Sequence, residues 1–490
     1  MLKKTELWLH TPLAQRWLVP LSLGLLALGL GVINLGNTGF FGDEYNSLME
    51  FTWPGEHLHS IPFFVLLRLW AVLGGRSLEW LRLFSALWAA GLAVVIYFIG
   101  LEATERRSVA VAAGLAAALS PWRVEEGQEV RFYAWFMFSA ALFLWALLRA
   151  RRLGRRVDWV WVGVTAVLTA TSHLLGMVFV LVGILFMVPG FKRLAHRGML
   201  GAICVVLLLV AFMPLAVPRQ VLSTAYKVLV PLDGLVNDTS KGYSGPRGVS
   251  AGTFIKPAYA AYMYTLGSSF YPFDSMLSVP ALLIIVVAVG TALWQLRRYR
   301  EFQLLLIAWA VIPVVGVFFT MDSLAPPGYT PTAAHHIAPV AIAVWLALSG
   351  LALSRRTWPL FGAVLIVQAI GLGYYYWGDW SLTSRKDVDM RAAAAQANRA
   401  GCGPEAVLIP DGRMIGPAKI YAAPGCKVVS VYDALADAGH PEQTIDRRRT
   451  EVILGKGNYL GAGHANLIQK AVVTEQTLGI IQDLHPEFTD

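Results

Sequence analysis

The sequence predicts a polytopic α-helical membrane protein, with about eleven transmembrane helices, that carries a small extracytoplasmic α/β domain at its C-terminal end. Three observations predict it. Of 490 residues, 56% are hydrophobic and only 14% are charged, with a mean hydropathy of +0.56; a soluble chain of this length carries more charge. Long apolar runs alternate with short links rich in arginine. The acids collect in the remaining links, so charge is segregated in the way a membrane topology requires. The 17 tryptophans suit aromatic belts at the two interfaces.

Apolar runs and their charged ends place candidate spans at 17–36, 82–100, 108–121, 132–149, 158–172, 174–189, 199–218, 278–295, 302–320, 335–353 and 358–377. The first is long, lacks a small-residue cleavage site and reads as a retained helix. Within 158–189 the run "TATSHLLG" interrupts the apolar pattern with small and polar residues, which favours two helices over one. Lys3, Lys4 and Arg16 precede the first span, and "ERR" (105–107), "RARRLGRR" (149–156), "FKRLAHR" (191–197), "RRYR" (297–300) and "SRR" (354–356) occupy alternate links. The positive-inside rule makes that side cytoplasmic. It also accounts for the net charge of +9 without a nucleic-acid partner.

The membrane part is therefore 1–377, with outer loops at 37–81 and 219–277, and 378–490 is a C-terminal extracytoplasmic domain. In that tail "DVDMRAAAAQANRAG" (387–401) is helical and ends at glycine. "AVLIPD" (406–411) and "KVVSVYD" (427–433) read as strands around a helical "PAKIYAAPG", a β-α-β pattern. Cys204 falls in a span; Cys402 and Cys426 precede the two strands, either as a disulfide or as separate thiols. "HLHSIPFFVLLRLWAVLGG" (57–75) reads as an amphipathic helix along the outer interface. The 219–277 loop, aromatic-rich around Lys256, reads either as a structured interfacial loop or as a lid.

Four groups of residues can carry chemistry, all on the outer side. Asp43 and Glu44, in "GFFGDEYNSLMEF" (39–51), follow the first span. They suit the first turn of a short helix, where free N–H groups stabilise carboxylates. An ionised Asp43 can equally act as a general base on a hydroxyl, or join Glu44 in holding a divalent cation, Mg2+ or Mn2+. "SPWRVEEGQEVRFYAWF" (120–136) offers Arg131, whose fork of donors matches a phosphate, flanked by Glu129 and Tyr133. The plainer reading pairs Arg131 with a neighbouring glutamate. His173 lies at the break between two spans. His335 and His336 open a late span and, being adjacent, point to different helix faces, so one metal held by both is disfavoured.

The ordered set "FFGDEYNSLMEF", "HSIPFFVLLRLW" (59–70), "LSPWRVEEGQEVRFYAWFMFSAALFLWALLRA" (119–150) and "TSHLLGMVFVLVGILF" resembles the GT-C glycosyltransferases. The likeness is to the bacterial branch related to protein O-mannosyltransferases and lipid A aminoarabinose transferases. It covers the first 190 residues or so, and the rest of the membrane part by layout. The resemblance implies a bacterial inner-membrane enzyme that moves a sugar from a polyprenyl-phosphate carrier to an acceptor hydroxyl on protein, lipid or polysaccharide, with inversion. It implies Asp43 as base, Glu44 orienting the acceptor or a metal, and Glu129, Arg131 and Tyr133 lining the donor pocket. His59, His173, Lys256 and His335 are further candidate substrate contacts. Two departures stand out: the family's His-Pro-Pro is His59-Ser60-Ile61-Pro62 here, and His335-His336 stand where many members have Arg-Tyr. The alternatives are a lipid-linked substrate transporter or flippase, which predicts ionisable groups buried in mid-membrane, and a non-catalytic scaffold of an envelope complex.

Overall fold

The computed structural model describes residues 13–36, 44, 47, 60–173, 175–187, 262–267, 278–321 and 335–377, with short strand positions between 407 and 459. Chain contacts divide it into two compact units. The first comprises Met1–Ile33, Gly55–Asp238 and Gly245–Asp379, and the second comprises Asn34–Pro54, Thr239–Ser244 and Trp380–Asp490.

The first unit is helical throughout its described residues. Its elements are α1 (Leu13–Val32), α2 (Ile61–Gly74), α3 (Leu78–Thr104), α4 (Arg107–Ala118), α5 (Pro121–Gly127), α6 (Tyr133–Leu153), α7 (Arg156–Ser172), α8 (Gly176–Met187), α9 (Ser278–Leu296), α10 (Arg300–Met321), α11 (Val340–Leu348) and α12 (Trp358–Trp377). Each expected span except 199–218, which lies outside the described residues, falls on one of these helices. Leu78–Thr104, Tyr133–Leu153, Arg355–Trp377 and the helical stretch Val279–Val314 are long and apolar enough to cross a membrane. That last stretch is not one rod. Gln303 Nε2 donates to the Leu293 carbonyl at 3.0 Å, whereas ten residues along a straight helix separate groups by about 15 Å. The chain therefore folds back at the 3₁₀ turn Arg297–Tyr299.

Local chemistry sets the ends of these helices. Ser77 caps α3 by accepting from the Trp80 N–H. Ser120 does the same for α5, with Pro121 in the first turn. Gly154 closes α6 in the left-handed conformation (φ 65°). The break at "TATSHLLG" is real: α7 stops at Ser172, His173 is extended, and α8 restarts at Gly176. α2 is less amphipathic than its sequence suggests. Phe63, Phe64 and Leu67 are buried, but Leu69, Val72 and Leu73 on the other face are exposed and apolar.

α3 and α6 form the centre, and α1, α4, α7 and α8 pack around them through small residues. A Cβ at Gly100 would lie 3.2 Å from Ala110 Cα, which records how closely α3 and α4 approach. On the outside of the bundle Leu283, Val286 and Val287 of α9 and Ile366 of α12 point away from the protein. Such apolar helix faces are solvated by lipid, where every backbone group must be satisfied internally.

Charge separates the two ends of the bundle. At one end Arg152 pairs with Glu102, Arg151 with Glu301 at 2.8 Å, and Arg149 and Arg155 share Asp158 at 3.0 and 2.7 Å. Arg106 Nε donates to the Tyr299 hydroxyl at 3.0 Å there. The opposite end holds α5, the start of α6, His173 and the start of α11.

In the second unit, β1 (Val407–Ile409), β2 (Lys427–Val428), β3 (Ile453–Leu454) and β4 (Asn458–Tyr459) form a sheet in the order β2-β1-β3-β4. β1 and β2 are parallel, with Val407 opposite Lys427, and the β3 and β4 pairings are antiparallel. A parallel pair needs a crossover; the helix expected between these strands, like Cys204, Cys402 and Cys426, lies outside the described residues.

Gly176 tests the break between α7 and α8. A Cβ there would lie 2.0 Å from the Thr169 carbonyl oxygen, a clash with backbone. Gly176→Ala should lower the melting temperature of the purified protein, by roughly 1–3 kcal/mol of stability. Gly163→Ala, whose Cβ would have nothing within 4 Å, should not. Equal melting curves for the two variants would contradict the close approach.

Candidate functional site

The segment 120–133 turns across the end opposite the arginine-rich links, and α5 is buried along its whole length. Its first task is structural. Helices α1 and α4 both finish at this end, leaving carbonyls with no intrahelical partner. Arg123 Nε and Nη2 donate to the Ala117 and Ala118 carbonyls at 3.1 and 2.8 Å. Gln128 Nε2 donates to the Gly31 and Ile33 carbonyls at 3.0 and 2.6 Å, while its Oε1 accepts from the Tyr375 hydroxyl at 2.8 Å. Gln368 Nε2 donates to the Ala116 carbonyl at 3.0 Å, and the Tyr376 hydroxyl donates to that of Leu30. Burial pushes the fully enclosed Arg123 guanidinium down to about 10, with Tyr376 partly opposing the shift.

On this framework sits a compact polar and aromatic cluster. Glu126 of α5 pairs with Nδ1 of His335, and both side chains are buried. The His335 ring stacks on Trp122 at 4.5 Å and lies 5.5 Å from the Tyr133 ring. The adjacent imidazole diverges: His336 Nδ1 lies 3.3 Å from His173 Nε2. The Leu175 N–H donates to His173 Nδ1 at 3.1 Å. That bond occupies the Nδ1 lone pair, so in the neutral ring Nε2 carries the proton and His336 Nδ1 accepts it. His173 also stacks on Phe136 at 5.0 Å. The Arg131 guanidinium carbon lies 4.9 Å from the Phe132 ring centre and 5.6 Å from that of Tyr133.

Tyr264 closes the cluster from a helical turn over 262–266. Its hydroxyl donates to the Ile337 carbonyl at 3.4 Å, and its own carbonyl accepts from Ser120 and Trp345. Burial, with the charge of Glu126, holds its phenol well above the usual tyrosine range.

Of the residues singled out from the sequence, Arg131, Tyr133, His173 and His335 thus meet at one end of the first unit. Glu129 is buried there too, within electrostatic reach of Tyr375. Glu44 is helical and buried, and belongs to the second unit. Asp43, His59 and Lys256 lie outside the described residues. Glu126, Trp122, His336 and Tyr264 were not assigned site roles from the sequence. For Trp122 and Glu126 the signal was the density of polar residues in "PWRVEEGQEVR" between two apolar runs, which marks a loop but names no partners; for His336 and Tyr264 it was the His335-His336 pair and the aromatic-rich 219–277 loop.

Among the described residues no group of three or more His, Cys, Asp or Glu side chains is placed to hold a metal ion. The divalent cation expected at Asp43 and Glu44 concerns a pair of which one member is outside those residues.

No family model matches the sequence, and no curated protein matches it. Among solved structures, the chain is similar to the crystal structure of the Archaeoglobus fulgidus oligosaccharyltransferase in complex with Zn and sulfate, with a TM-score of 0.47 and 13% sequence identity. That likeness covers 78% of this chain and 55% of the other, so the chain spans about half the length of the oligosaccharyltransferase.

Gln128 carries a direct test of the framework. Gln128→Leu takes the side-chain donor from one buried and one half-buried carbonyl and the acceptor from a buried tyrosine hydroxyl, and a buried polar group left unsatisfied costs roughly 1–3 kcal/mol. It should lower the melting temperature and speed amide exchange around residues 30–36. Wild-type exchange in that stretch would contradict the bonding described.

Proposed function

We propose that this chain is an integral-membrane glycosyltransferase of the GT-C type. It transfers a sugar from a polyprenyl-phosphate carrier to an acceptor hydroxyl at the outer face of a bacterial inner membrane. The observation that carries the reading is the meeting of Arg131, Tyr133, His173 and His335, from separate links, at the end of the bundle remote from the arginine-rich links. Under the positive-inside rule that end is the outer one. The ordered motifs around the same residues support it from the sequence side.

The chemistry follows from where a lipid-linked donor has to sit. Its tail stays in the bilayer while its phosphate and sugar reach the interface. The Arg131 guanidinium offers forked donors to phosphate oxygens, and the aromatic rings of Phe132 and Tyr133 hold it in place. His173, His335 and Glu129 stand at the same end of the bundle as further contacts for the donor, and the family resemblance adds Lys256 and His59 from the outer loops. Asp43 takes the proton of the acceptor hydroxyl as that oxygen attacks the anomeric carbon. The bond from that carbon to the phosphate oxygen breaks, and the carrier leaves as its phosphate monoester, keeping the electron pair. A single displacement inverts the anomeric carbon. Glu44 orients the acceptor, or joins Asp43 in holding a divalent cation, which would neutralise phosphate charge. In this reading 1–377 is the catalytic membrane domain and 378–490 is an extracytoplasmic α/β domain that docks the acceptor or a partner.

Purified protein in vesicles, supplied with a panel of polyprenyl-phosphate sugars, tests this. One carrier should be consumed with release of its polyprenyl phosphate. Arg131→Gln should slow that turnover by about 10²-fold or more, as expected for a lost charge at a leaving phosphate, and Arg131→Lys by less. Asp43→Asn should insert normally and lose transfer. Full activity of Asp43→Asn would remove Asp43 as base, and failure to consume any carrier would reject the enzyme reading.

A further inference from the structure

We propose that three arginine-rich links at the end remote from the polar cluster form a seat for the headgroup of an anionic phospholipid. The links are Glu105–Arg107 between α3 and α4, Arg297–Arg300 between α9 and α10, and Arg355–Arg356 ahead of α12. Two long-range bonds gather them. Arg106 Nε donates to the Tyr299 hydroxyl at 3.0 Å, and the Ser108 hydroxyl donates to the Ala352 carbonyl at 3.2 Å. Seven exposed arginines, 106, 107, 297, 298, 300, 355 and 356, stand here with Glu105 as the uncommitted acid, since Glu301 is engaged by Arg151. Arg107, Arg298, Arg300, Arg355 and Arg356 have no acidic partner among the described residues.

Like charges gathered this closely repel, and a polyanion relieves the repulsion. The surroundings say that the anion belongs to a lipid. Trp294 is 62% exposed and carries the Arg297 guanidinium 3.7 Å over its ring; Trp358, 55% exposed, stands two residues after Arg356. Exposed tryptophans of this kind mark headgroup depth. Immediately beyond them the outward faces of α9 and α12 are aliphatic, with Leu283, Val286, Val287 and Ile366 exposed. Phosphate ligands, a tryptophan belt and a hydrocarbon face thus follow one another along the same helices, which is the order of groups in a phospholipid. Guanidinium forks match the phosphate, and basic sites between helices on the cytoplasmic side take anionic headgroups in this way.

Full-length protein in detergent, analysed by native mass spectrometry with phosphatidylglycerol, phosphatidylcholine or inorganic phosphate added, tests the seat. Phosphatidylglycerol should be retained at least about fivefold better than phosphatidylcholine, and excess inorganic phosphate should not displace it. The triple variant R298Q/R355Q/R356Q should lose that preference. Because such a change could disturb insertion, a second measurement uses the wild-type protein: phosphatidylglycerol with a photoreactive headgroup should cross-link within 294–300 or 355–358. Equal retention of the two lipids, displacement by inorganic phosphate, an unchanged preference in the triple variant, or cross-links confined to other segments would each overturn the proposal.

Discussion

Helix ends that finish inside a membrane protein must have their last carbonyls satisfied, because hydrocarbon offers no donor. That constraint shapes the whole end of the bundle where the polar residues collect. α1 and α4 end there, and four side chains answer their carbonyls: Arg123, Gln128, Gln368 and Tyr376. Two of the four come from the 120–133 segment. The same short stretch therefore fastens the first helix, the fourth helix and the last helix to one another, and then presents Glu126, Arg131 and Tyr133 from a backbone that has little freedom left. A buried arginine is costly without compensation. Arg123 finds part of it in the negative end of the α4 dipole.

The cluster built on this frame is arranged in pairs. Glu126 engages one imidazole of the His335-His336 dipeptide, and His173 engages the other. Each pair joins segments far apart in sequence, so the orientation of the rings depends on the packing of α5, α7 and α11 together. Aromatic faces enclose the pairs: Trp122 and Tyr133 around His335, Phe136 around His173. Glu126, His173 and His335 are buried away from bulk water, which strengthens each electrostatic contact. Under the proposed reaction the carrier's phosphate would meet charge and donors already oriented there, the condition under which electrostatic stabilisation is most effective.

Much of this was legible from the chain. Apolar runs and arginine links located the helices because both signals are local: hydropathy along one segment and charge at its ends. The interruption at His173 was legible for the same reason, since threonine, serine and histidine break an apolar run whatever the tertiary context. The partner of Glu126 was not. "RVEEGQEVR" offers three glutamates, and which of them meets a histidine two hundred residues on is decided by helix packing. Gln128 reads as an ordinary loop glutamine, and its role depends on where α1 ends in space. In the tail, β1 and β2 fall on the two apolar runs expected as strands, while the antiparallel β3 and β4 are two-residue segments beside glycines, too short to give an apolar run of their own. The exposed aliphatic face of α2 escaped notice because His, Ser and Arg in its sequence suggested a polar side, whereas the helix itself begins only at Ile61.

The proposed reaction requires the two ends of the bundle to lie on opposite faces of a membrane, with the polar cluster outside and the arginine links inside. Impermeant maleimide labelling of intact cells measures this directly, in a chain whose three cysteines are replaced by serine and that carries one new cysteine. Glu79→Cys, exposed at the start of α3, should label from outside, and Arg298→Cys, exposed between α9 and α10, should label only after the cells are opened. Labelling of Arg298→Cys in intact cells, with Glu79→Cys protected, would contradict it.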